Sequence, residues 1–172
     1  GVCYVPPQSS HFPHSRVCEH ILTLYEELLV AAQVSRHILL LGDFNAKIGS
    51  LDEVADAHAH LLSFFPCLQR QRSSEFSDVN TAGTLLAELA SEAGLLFCTG
   101  RVPGDAGQAS YYLRRRSACT PCSRPDHFLV SPALFGAVHE CTVNPMVPLL
   151  DHAALSVIFH VTRECAPQID WL

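Results

Sequence analysis

Residues 39–49 read LLLGDFNAKIG. The run over 37–41 is apolar and of strand length, which suits a strand covered on both faces. Directly behind it come Gly42, Asp43, Phe44 and Asn45, an acid and an amide on either side of an aromatic ring. A buried strand is a rigid mount, and polar side chains leaving its end are aimed at solvent or at a ligand.

Reading outward, residues 2–5 are short and apolar and stop at Pro6-Pro7, as a strand entering a loop does. Over 15–32 the apolar side chains fall at Val17, Ile21, Leu24, Tyr25, Leu28 and Leu29, the spacing of an amphipathic helix with Glu19, Glu26 and Glu27 off the stripe. Strand, helix and strand make a βαβ-like unit. Residues 52–68 have room for one short helix, and 69–78 form a polar loop. A second helix is predicted over 81–93, with Leu85, Leu86 and Leu89 on one face and Gly94 as its stop. Then LLFCT, ASYYL, DHFLVS, AVHECTV and ALSVIFHVT are all of strand length, with the arginines at 114–116 as a basic loop between two of them. The expectation is one mixed α/β sandwich domain over 1–172.

Composition agrees with a packed body. Of 172 residues, 48% are hydrophobic and 16% charged. A net charge of −6 does not advertise a phosphate-binding surface, although a divalent cation brings its own positive charge to a phosphate. No apolar run approaches the ~20 residues of a membrane span, so no membrane partner is expected. The chain opens GVCYVPP, without Met or a basic leader, and reads as an internal stretch of a longer product. Eight cysteines are scattered, which fits buried thiols of an intracellular protein. Cys119 and Cys122 form a C-x-x-C, for which zinc would need further ligands such as His127 and His139. Ordinary loop cysteines are the favoured reading.

Three polar clusters lie at strand ends: Asp43 with Asn45, Asp126 after Ser123-Arg124-Pro125, and Asp151-His152 after Leu150. Carboxylates hold a hard cation and orient water, while an amide and an imidazole stabilise charge on phosphorus. Each cluster alone is weak, since lone acids at strand ends are usually turn or cap residues. Their order carries the argument. GDFNA at 42–46, YVPP at 4–7, NTAGTLLAELASEAGL at 80–95, SRPDHFLVS at 123–131 and LDHAALS at 150–156 together resemble the endonuclease/exonuclease/phosphatase superfamily, the DNase I-like fold. GDFNAKIG, the NTAG helix and the GRVPGD turn are most similar to endonuclease domains of non-LTR retrotransposons.

The resemblance implies a partial α/β/β/α sandwich with mixed sheets that lacks its first strands. It implies Mg²⁺- or Mn²⁺-dependent phosphodiester hydrolysis of nucleic acid, DNA in the retroelement case, leaving a 3′-hydroxyl. Asp43 would orient and deprotonate the attacking water, and Asn45 would hold the phosphate. Asp126 would pair with His152, which binds a phosphate oxygen, Tyr4 would touch the phosphate, and Asp151 would lie by the metal. The parent polypeptide would carry a reverse transcriptase, and a retroelement product would act in the nucleus. Two alternatives stand beside this: a phosphatase of the same fold acting on inositol or lipid phosphates, and a non-catalytic remnant.

The pattern also breaks. The superfamily's principal metal ligand, a glutamate on an early strand, has no counterpart before Tyr4, and Asp52, Glu53 and Asp56 fall at the wrong place in the order. The loop with His58 and His60 reads as a solvated face. Pro125 stands where an apolar strand residue is usual, His127 where tyrosine is common, and Leu150 where a serine precedes Asp-His. Such drift accords with relaxed selection, and a sandwich short of strands is expected to be poorly soluble.

Overall fold

The computed structural model describes residues 1–8, 14–53, 72–115, 118–145 and 150–160. The helix expected within 52–68, the histidines at 58 and 60, Asp56, Cys67, Cys165 and Arg116 therefore lie outside the described residues, except for the start of that stretch at Asp52 and Glu53.

A four-stranded sheet forms the frame, in the order β1 (Val2–Tyr4), β2 (Leu39–Asp43), β6 (Asp126–Val130), β3 (Leu96–Phe97). β1 and β2 are parallel and are joined through α1 (His14–Val34), the βαβ unit expected from the sequence. β6 runs antiparallel to both β2 and β3. Helix α2 (Thr81–Ala93) lies beside α1. Asn80 caps its start by accepting the Gly83 N–H, and Gly94 closes it in the left-handed conformation at φ 65°. Further on are the hairpin β4 (Tyr111–Arg115) and β5 (Ala118–Ser123), the one-turn helix α3 (Pro132–Phe135), and the hairpin β7 (Val138–Val143) and β8 (Leu155–Phe159).

The sheet is covered on both faces, as its apolar runs require. On one face Val17, Ile21, Leu24 and Leu28 of α1 and Leu86 and Leu89 of α2 meet Leu40, Phe97 and Leu129. On the other, Leu96, Phe128 and Val130 pack with Phe135, Val138 and Cys141, and the inner side chains of β8 close on them. The layers are helices, sheet and hairpin, a mixed α/β arrangement. β1 is the edge, and Val2 and Tyr4 are 83% and 62% exposed.

Several expectations shift. β2 runs on to Asp43, so the acid is the last rung of the ladder and not a loop residue. Arg114 and Arg115 belong to β4, because pairing with Cys119 and Ala118 extends the hairpin through the basic run. Cys119 and Cys122 likewise sit in β5 and not in a loop. Pro125 precedes β6 and removes no ladder donor; its carbonyl accepts the Phe44 N–H at 3.1 Å. The LLFCT run yields only the two-residue β3, and α3 was not foreseen.

Candidate active site

One rung of the sheet brings three of the expected site residues side by side. Tyr4 on β1 is the register partner of Asp43, and Asp43 is the register partner of Asp126 on β6. Two carboxylates directly opposite one another repel, and such a pairing is normally avoided in a ladder. Asp43 is half-buried, and burial raises its carboxyl above the ordinary value. Asp126 and Asp151 push in the same direction, and the Asn45 N–H and His152 oppose them.

Past Asp43 the chain turns sharply. Asn45 adopts φ 46°, the only positive φ among the described non-glycine residues. The turn lets its N–H reach Asp43 Oδ1 at 2.9 Å. Asn45 Nδ2 donates to the Val5 carbonyl at 2.8 Å and lies 3.4 Å from Asp43 Oδ2. One amide hydrogen is thus committed to β1's continuation, and the other points at the acid. The fully buried His127 backs the turn: Nε2–H donates to Ala46 O at 2.8 Å, and Nδ1 accepts from Thr99 Oγ1 at 3.2 Å. Its burial lowers its pKa to about 3, so the ring is neutral.

Across the rung, Asp126 Oδ2 holds His152 Nδ1 at 2.9 Å and accepts the Ser110 hydroxyl at 2.6 Å. That fixes the imidazole with Nε2 as its outward nitrogen. His152 is brought there by a short bridge to Tyr111, with Ala153 N bonded to Ser110 O and Tyr112 N to Asp151 O, each at 2.8 Å. The Tyr111 ring leans on the imidazole, centroids 5.2 Å apart. Tyr4, Asp43, Asn45, Lys47, Asn80, Tyr111 and His152 all line one cavity of about 500 Å³.

The four side chains expected to be catalytic, Asp43, Asn45, Asp126 and His152, therefore gather here with Tyr4. Among the described residues, Asp43, Asp126 and His152 offer possible metal-ligand atoms within 4.8 Å of one another. Asp151 is outside that group, exposed at the rim. Asp52 and Glu53 are elsewhere: both pair with Arg101, the buried Glu53 also faces Arg72 at 3.8 Å, and Asp52 stays exposed. His127, enlisted on paper for zinc, has both ring nitrogens engaged, and His139 stacks on His160 at 3.9 Å. Sequence reading missed Ser110, Tyr111, Lys47 and Asn80. Only Asn80 carried a signal, as an N-cap residue before a helical run.

No protein-family model matches the sequence, and no curated protein matches it. Solved structures do. A 3′–5′ exonuclease from Neisseria meningitidis superposes at a TM-score of 0.53 with 19% identity, over 82% of this chain and 52% of that one. The endonuclease domain of TRAS1, a telomere-specific non-LTR retrotransposon, gives 0.53 and 15%, over 83% and 53%. A Neisseria 3′ phosphatase bound to a product DNA hairpin gives 0.53 and 20%, over 83% and 52%. The architecture is thus the one these three structures share. The chain has the DNase I-like fold of these structures, and it spans about half the length of the structures it matches.

Proposed function

We propose that the chain is the phosphodiesterase part of a divalent-metal-dependent endonuclease of retroelement type, acting on DNA. The observation that carries this reading is the single rung Tyr4–Asp43–Asp126, completed by His152 on Asp126 Oδ2.

The side chains divide the work. Asp43 Oδ1 is held by the Asn45 N–H, leaving Oδ2 to orient water and take its proton. The Asn45 amide hydrogen not given to Val5 O turns to a phosphate oxygen. His152, steered by Asp126 and Ser110, donates Nε2–H to another phosphate oxygen as an imidazolium, its Nδ1–H held by Asp126. The Tyr4 hydroxyl approaches from the exposed edge. Two facing carboxylates suit a hard cation, so Asp43 and Asp126 would hold Mg²⁺ or Mn²⁺, with Asp151 adding charge from the rim. Bound there, the ion supplies Lewis-acid neutralisation of phosphate charge.

The test is nicking of supercoiled plasmid with Mg²⁺ or Mn²⁺, comparing this chain with Asp43→Ala. Metal-dependent nicking lost in the variant is expected. Nicking that survives Asp43→Ala, or no nicking by either, sinks the catalytic reading and leaves a non-catalytic remnant. Because one similar structure is a 3′ phosphatase, a 3′-phosphorylated oligonucleotide run in parallel distinguishes end-group from internal hydrolysis.

A further inference from the structure

We infer that Asn80 is a positioning residue for the proposed hydrolysis, holding the turn after β2 in the conformation that aims Asn45. The inference rests on the reading above only for its kinetic consequence; the clamp itself is a matter of geometry.

The turn needs a clamp. Asn45 at φ 46° is in a region that costs an L-residue about 1 kcal/mol, with asparagine among the residues that tolerate it best. Local contacts alone do not fix residues 45–47, since their backbone groups have left the ladder. Asn80 takes up three of those groups. Its Nδ2 donates to Asn45 O at 2.8 Å, its Oδ1 accepts the Lys47 N–H at 2.9 Å, and its own N–H donates to Lys47 O at 3.1 Å. A single residue thus does what a neighbouring strand would do, with a side-chain amide standing in for a peptide.

The same Oδ1 accepts the Gly83 N–H at 2.8 Å and so caps α2. Helix start and turn share one atom. Gly83 bears this out independently: a Cβ there would lie 1.9 Å from Lys47 O. The first turn of α2 is pressed onto the catalytic turn so closely that only glycine fits. Rigid helix, Asn80 and strained turn form one continuous support.

Capping and clamping can be separated. Asn80→Asp keeps both acceptor roles and removes only the donor to Asn45 O. Asn80→Ser keeps a helix cap without adding charge. Amide hydrogen exchange by NMR is measured on the full chain alongside cleavage of a short DNA duplex with Mg²⁺. In both variants the Asn45 amide is expected to exchange at least about 10-fold faster, because opening of the turn frees its bond to Asp43. The amides of 85–93 are expected to stay within about 2-fold, and kcat to fall about 10–100-fold with KM within about 3-fold, the mark of lost alignment. Unchanged exchange at Asn45, or equal acceleration through 85–93, overturns the clamp. Faster exchange at Asn45 alone, with no cleavage even by the unaltered chain, upholds the clamp and removes the hydrolytic reading instead.

Discussion

At the scale of single residues, Asp43 shows a site working against its own fold. Burial raises its carboxyl pKa, so folding favours the protonated form. The stability this brings is full below the ordinary carboxylate value of about 4 and is lost as pH rises through the raised value. At neutral pH the ionised group therefore weighs on the fold. Asp43→Asn, which keeps an Oδ1 acceptor for the Asn45 N–H, is expected to melt higher than the unaltered chain at pH 7. The gap should close below about pH 4, while nicking is abolished. A lower melting temperature at pH 7 contradicts the argument. Among the described residues, Lys47 is the one lysine or arginine lining the cavity, paired at 2.8 Å with Asp78 at the surface. Exposed pairs are worth about 1 kcal/mol or less, so a phosphate displaces Asp78 readily. Lys47→Gln is expected to lower the salt dependence of DNA binding by about one unit of slope, measured by fluorescence anisotropy. An unchanged slope removes Lys47 from the contact.

At the scale of elements, the sheet's end depends on close packing of β1 on β2. Gly42 has φ 153°, and a Cβ there would lie 1.8 Å from Cys3 O, its register partner. Gly42→Ala is expected to pry β1 away and cost at least about 1–3 kcal/mol in backbone strain, read from the urea midpoint. Tyr4 leaves the rung with β1, so activity should fall further than stability alone explains. Helices α1 and α2 and strands β2, β6, β7 and β8 were legible in the sequence because their apolar patterns record buried faces, whereas β5, read as loop, and α3 were not. The site's four main side chains were legible through their motifs. Ser110 and Tyr111 were not, because their role follows from a two-residue bridge to His152 that leaves no periodic trace. β4 was misjudged at Arg114 and Arg115 because charge outweighed pairing in the reading, whereas an exposed hairpin carries charge on its strands without penalty.

For the whole molecule, the buried His127 links acid stability to the site. Its pKa falls from 6.5 to about 3, chiefly through burial, with Arg124 and Arg72 adding to the effect. A depressed histidine contributes stability present above 6.5 and lost as pH falls toward 3. Melting temperature is expected to drop through that window. His127→Gln, which keeps a donor and an acceptor but does not titrate there, should flatten the decline. If the slope is unchanged, other groups govern it.

The rung that joins Tyr4, Asp43 and Asp126 has one more implication. A ladder slips by whole residues, and restoring the same face takes two, a jump of about 7 Å. Damage to this sheet is therefore quantised. A molecule whose β2 and β6 have slipped is silent, because Asp43 and Asp126 no longer face one another. Substitutions that weaken the β2–β6 pairing without displacing β1 should therefore lower the fraction of molecules that turn over more than they lower the rate of each survivor.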